Sequence, residues 1–111
     1  MTEDILTEKI KPVHPGEVLL EEFLKPWEMS QNQLANAMGV TVSRVNEIVR
    51  GRRGITADTA LRLSRVTGTT PEFWLNLQSL YDLETAKDEL GDRLDEEVTP
   101  VVDVSLLEKI E

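Results

Sequence analysis

The chain has 111 residues, enough for one small domain with an appended tail, and its lack of cysteine excludes a disulfide framework or a cysteine metal site. Its net charge of −9 argues against indiscriminate attraction to nucleic acid, and no apolar run approaches the roughly 18 residues that span a bilayer. The acidic start, MTEDILTEKIKP, has no apolar core of the secretory kind, so a cytoplasmic protein is expected.

Residues 1–13 show no helical period and read as an N-terminal arm. A first helix is expected from Pro15, since proline at the first helical position loses only an N–H that would be unpaired anyway. Leu20, Phe23, Leu24 and Trp27 form its apolar stripe, Glu17, Glu21, Glu22 and Lys25 lie outside, and Pro26 ends it. Ser30 with Gln33 makes a capping box that opens a second helix at about 31–38. Gly39 closes this helix, and Thr41 caps a third at about 42–49. Gly51-Arg52-Arg53-Gly54 is a loop. Thr56 caps a fourth helix, Ala57 to about Thr67, with Ala60, Leu61, Leu63 and Ser64 on its buried side and Gly68 at its end. Thr70-Pro71-Glu72 starts a fifth, which carries Phe73, Trp74, Leu77, Leu80, Tyr81 and Glu84 at helical spacing and ends near 89–91. Leu75 and Leu83 fall off that face, either as ordinary partly exposed leucines or as part of an interface. Residues 88–97 are an acidic, solvated stretch, and 98–104 are rich in β-branched residues. Pro100 confines any strand there to a sheet edge, and a disordered tail is the other reading. The expected organisation is therefore an arm at 1–13, an all-α domain at 14–90, and an acidic tail at 91–111 with room for a short strand and a helical turn.

The segment QNQLANAMGVTVSRVNEIVR, residues 31–50, is the most informative. Leu34 and Met38 lie one turn apart, as do Val45 and Ile48, so each pair shares a helix face, and Ala35 is small where a second helix crosses. An ordinary antiparallel helix pair explains these apolar positions equally well. It does not explain the polar set between them, which a helix-turn-helix does by laying its second helix in the major groove of double-stranded DNA. The charge distribution agrees. Residues 1–40 carry 3 basic and 7 acidic side chains, residues 41–68 carry six arginines against Glu47 and Asp58, and residues 69–111 carry 3 basic and 12 acidic groups. The one positive region thus covers the proposed recognition helix and the residues just after it, and with a screening length of about 8 Å it acts on phosphates despite the distant acidic tail.

Within this motif Thr41, Val42, Ser43 and Arg44, followed by Asn46 and Glu47, occupy the positions that reach base edges. Arg44 has the two-pronged donor that reads guanine, or else binds phosphate. Val42 suits a thymine methyl and Ser43 either donates or accepts. Glu47 accepts from cytosine N4 or orients Arg44 or Arg50. Gln31, at the start of the first motif helix, suits a phosphate, as do Arg50, Arg52 and Arg53 at the helix end and in the loop. His14 is the only histidine and sits before Pro15, a helix-start or packing position. No phosphate-binding glycine loop or paired-carboxylate site occurs, and neither enzyme activity nor a cofactor is expected.

The arrangement resembles the five-helix Xre/Cro-type repressor domain and, more narrowly, the HigA antitoxin family. The residues that carry the resemblance are His14-Pro15-Gly16-Glu17, Gly39-Val40-Thr41, Asn46-Glu47-Ile48, the run from Gly51 to Leu63 and the run from Thr70 to Gln78. It covers roughly residues 13–86. The resemblance implies a homodimer that binds an operator palindrome and represses its own operon. It also implies a HigB-like toxin partner, a small basic mRNA endonuclease neutralised by direct contact, which an acidic chain would suit. Thr41, Ser43, Arg44, Asn46 and Arg50 match the family's DNA-facing positions. For the toxin-binding surface the acidic first helix and the acidic tail are both candidates. Two other readings share the bundle: a free-standing repressor without a toxin, and a protein-interaction module that has lost DNA binding.

Overall fold

The computed structural model describes residues 11–102, and all regular structure among them is helical. Helix α1 begins at Pro15–Val18 and continues as a π-helical stretch over Leu19–Leu24. It is followed by α2 (Gln31–Met38), α3 (Val42–Val49), α4 (Ala57–Thr67), α5 (Pro71–Leu90) and a short α6 (Arg93–Glu97). The five-helix bundle of the sequence reading is thus present, with the short extra helix after it. Among the described residues no helix is long and apolar enough to cross a membrane.

The helix ends follow local chemistry. Ser30 Oγ accepts from the Gln33 amide at 3.0 Å while Gln33 Oε1 accepts from the Ser30 amide at 2.8 Å, a complete capping box. Thr41, Thr56 and Thr70 each accept from the amide three residues on. His14 caps α1 in the same manner, its Nδ1 accepting from the Gly16 amide at 2.9 Å. Gly39 has φ +73°, and the amides of Val40 and Gly39 reach back to the carbonyls of Ala35 and Asn36, the paired bonds of a Schellman turn. The same pair of bonds closes the first helix, where the Met29 amide meets Leu24 O and the Glu28 amide meets Lys25 O. There the left-handed residue is Glu28, at φ +51°. The widened turn before it has a cause in Pro26, which offers no N–H to the Glu22 carbonyl. The Lys25 amide instead bonds five residues back to Leu20 at 2.9 Å.

Leu19, Leu24, Leu34, Ala35, Met38, Val45, Ile48, Ile55, Ala60, Leu63 and Trp74 form one continuous core. Trp74 is fully buried and its indole N–H donates to Thr69 Oγ1 at 2.7 Å, so its single polar atom is satisfied. Burial departs from the sequence reading at four places, one of them Phe73, 37% exposed at the start of α5. Leu61, expected inside, is 54% exposed, because α4 turns only Ala60, Leu63 and Ser64 inward with Thr59. Trp27, expected on the buried stripe, is 47% exposed, since the widened turn and Pro26 carry it past the end of the helix. Leu80 is 58% exposed although α5 spacing put it with Trp74, and that half of α5 lies beyond the core. Leu75 and Leu83 are exposed as well. The strand considered for 98–104 is absent as far as residue 102, and the remainder lies outside the described residues.

Candidate nucleic-acid interface

Helix α3, the expected recognition helix, is held from three sides. Val45 and Ile48 are buried in the core, and α2, with Ala35 and Met38 buried, packs against α3. The start of α1 lies on its C-terminal end so closely that a Cβ on Gly16 would come within 1.7 Å of the Ile48 carbonyl oxygen. Only glycine allows that approach, a reason for Gly16 that spacing alone did not reveal. The turn between α2 and α3 is fixed from α4, because Arg62 Nη1 donates to the Met38 carbonyl at 2.9 Å, placing a cation on the negative end of α2.

Its outward face is polar, with Val42 among it. Thr41 is spent as the cap of α3, its Oγ1 accepting from the Arg44 amide at 3.1 Å. The first-turn amides of α3 have no carbonyl within the helix to bond and carry the positive end of its dipole. Val42 and Ser43 are exposed, as are Arg50 and Arg52, neither of which makes an ion pair among the described residues. Asn46 Nδ2 donates to Gln31 Oε1 at 3.0 Å, so the two polar residues picked out separately are joined across the helix pair. Glu47 accepts from both Arg53 Nε and Nη2 at 2.7 Å. It therefore orients Arg53, rather than Arg44 or Arg50, through one carboxylate oxygen, Oε1.

Arg44 departs furthest from expectation. Its Nη2 donates to Asp58 Oδ2 and to Thr59 Oγ1, both at 2.7 Å, and its side chain is only 24% exposed. Nε is buried without a partner. The guanidinium thus points back to α4 instead of outward, where guanine reading would need it. Asp58 also receives Arg62 Nε at 3.0 Å, so one carboxylate ties α3, α4 and the α2–α3 turn together. Hydrogen bonds from Arg44 and then Arg62 hold the Asp58 carboxyl below its usual range. Asp58, Thr59 and Arg62 were missed as parts of this site because their partners stand 14 to 24 residues away. Beneath the loop that carries Arg52 and Arg53, Gln78 of α5 accepts from the Ile55 amide at 2.7 Å and fixes where that loop rejoins the core. No cluster of three or more histidine, aspartate or glutamate side chains able to hold a metal occurs among the described residues.

The bundle and the exposed helix in it are shared with known proteins. Residues 20–74 match the family model described as helix-turn-helix. The virulence-associated protein I of Dichelobacter nodosus is 57% identical over 75 residues, which cover 68% of this chain and 69% of that protein. Antitoxin HigA-1 of Vibrio cholerae is 44% identical over 75 residues, 68% of this chain and 70% of that one. The solved structure of antitoxin GraA in complex with its operator superposes with a TM-score of 0.80 at 48% identity, covering 87% of this chain and 98% of GraA. With a shared fold, a shared motif and identities of this order over most of the domain, the chain belongs to the Xre-type helix-turn-helix family and, within it, to the HigA-like antitoxins.

Proposed function

We propose that this protein is a dimeric operator-binding antitoxin, which represses its own operon and neutralises a HigB-like mRNA endonuclease in the cytoplasm by direct contact. The observation that carries the DNA half of the reading is GraA, a relative that is 48% identical and solved with its operator. In this chain α3 enters the major groove, Val42 meets a thymine methyl and Ser43 a base edge, and Thr41 shapes the helix start between them. Gln31, steadied by Asn46, and the first-turn amides of α2 approach one phosphate. Arg50 and Arg52 anchor others, and Arg53 is aimed by Glu47. Arg44 holds α3 on α4 rather than touching a base. A two-fold dimer sets the recognition helices about 34 Å apart, one turn of the duplex. The toxin half of the reading is supported by HigA-1 among the relatives and by the acidic surface outside α3 and its loop.

The test is a gel-shift titration on the chain's own upstream promoter fragment at two salt concentrations, with Ser43→Ala and Arg52→Ala alongside. Tight binding that weakens steeply with salt, less steeply in Arg52→Ala, and loses sequence preference in Ser43→Ala is expected. No shift at any concentration would refute operator binding. Co-purification with the product of an adjacent reading frame for a basic protein tests the toxin half in the same preparation.

A further inference from the structure

Phe23, Trp27 and Phe73 form an aromatic patch where the end of α1 meets the start of α5. Phe23 stacks edge-on against Trp27, with centroids 5.4 Å apart, and leans on Phe73 at 6.4 Å. Phe73 is 37% exposed and Trp27 more so. Tryptophan half outside a well-packed core is the side chain that most often dominates a protein interface. Glu22, Glu28 and Glu72 are exposed neighbours of the three rings in the chain and make no ion pair among the described residues. Lys25, two residues from both Phe23 and Trp27 in the chain, is taken by Glu21 at 2.8 Å.

We infer that this patch is the docking surface for a basic protein partner, with Trp27 as its central anchor and Glu22, Glu28 and Glu72 as its acidic rim. The inference rests on the antitoxin reading above, and it assigns the first of the two acidic regions, not the tail, as the surface that receives the toxin. An arginine or lysine from the partner gains twice here, over the Trp27 face and against the carboxylates. A second copy of this chain would bring carboxylates against carboxylates, and operator phosphates would be repelled in the same way.

The experiment titrates the full chain with the basic protein encoded beside it, following tryptophan emission and heat, for wild type, Trp27→Ala and Glu72→Arg. Each variant is also titrated on operator DNA as a check that it folds. Binding of wild type with a blue shift of emission is expected, because Trp74 is already buried and Trp27 alone would lose water. Trp27→Ala and Glu72→Arg should each weaken partner binding about thirty-fold or more, with operator affinity not reduced. Wild-type binding that both variants retain would overturn the inference and leave the antitoxin reading standing. No wild-type binding would overturn the toxin half of that reading and the inference with it. Sedimentation showing that Trp27→Ala turns a dimer into a monomer would make the patch a self-interface and overturn the inference as well.

Discussion

Arg44→Ala separates two roles that look alike in the sequence. If Arg44 reads a base or binds phosphate, its removal weakens DNA binding and leaves the free protein unchanged. The structure leads to the opposite expectation. The bond from Nη2 to the buried Thr59 hydroxyl is charge-assisted, of a class that contributes about 1.5–3 kcal/mol. The partner on the other side, Asp58, is exposed and adds little. Against this stands the buried Nε without a partner, whose removal recovers part of the loss. The balance is a destabilisation of about 1–2 kcal/mol, a fall of roughly 5–12 °C in Tm for a domain of this size. The assay is a thermal melt of the free protein, followed by gel shifts at several salt concentrations on the operator fragment. The melt should move by that amount, and the salt slope should stay at its wild-type value, since no phosphate contact is lost. Arg52→Ala should do the reverse, lowering the slope by about 0.9 per protomer with little change in Tm. An Arg44→Ala protein with unchanged Tm and a slope lower by about 0.9 per protomer would refute the assignment.

Gly16→Ala has no room for its methyl group, which would lie 1.7 Å from the Ile48 carbonyl, and a backbone cannot yield as a flexible side chain does. A loss of about 3 kcal/mol or more is expected, read as a drop of over about 12 °C in a thermal melt. Glu28→Gly should do the opposite: it relieves a left-handed non-glycine residue at a Schellman turn and should raise stability by about 0.5–1 kcal/mol in urea unfolding. His14 caps α1 only while Nδ1 is unprotonated, and burial, opposed in part by Asp82, lowers its pKa below the ordinary 6.5. The unfolded chain therefore binds the proton first as pH falls, so this contribution is complete above about 6.5 and is lost as pH drops through the lowered folded value. Unfolding measured from pH 7.5 to 5 should show that loss in wild type and not in His14→Asn, whose side chain caps at every pH.

The parts of the fold legible in the sequence are those decided within four residues. The Ser30–Gln33 box, the threonine caps and the ending at Gly39 are short-range hydrogen bonds, and each set its helix boundary as expected. What stayed hidden depends on distant partners. Arg44 and Asp58 are 14 residues apart, and Gly16 meets Ile48 from a different helix. No periodicity encodes such pairs. Leu61 and Trp27 failed for a related reason: helical spacing names a face, but only the packed neighbours decide how wide the buried face is. At the candidate site the sequence names residue types at helical positions, but not the directions of their side chains, which the partners of Arg44 and Glu47 decide.

Those directions change the electrostatic reading of the interface. The basic region holds six arginines, and counted as charge alone all six are available to phosphates. In the folded domain Arg44 and Arg62 share Asp58, and Arg53 is bound to Glu47, which leaves Arg50, Arg52 and Arg65 without an ion pair among the described residues. Each phosphate neutralised contributes a salt slope of about 0.9, so Arg50 and Arg52, the two unpaired arginines assigned to phosphates, give about 1.8 per protomer where six would give about 5.4. The paired arginines are not wasted by this arithmetic. A cation already matched by a carboxylate attracts any duplex weakly, so the pairing trims non-specific attraction, while Arg44, through Thr59 and Asp58, ties α3 to α4. A measured slope near 1.8 per protomer, from operator titrations between 50 and 200 mM salt, is the expected result. A slope near 5.4 would mean that the Asp58 and Glu47 pairs open on binding, and the rigid placement of α3 argued from them would fail with it.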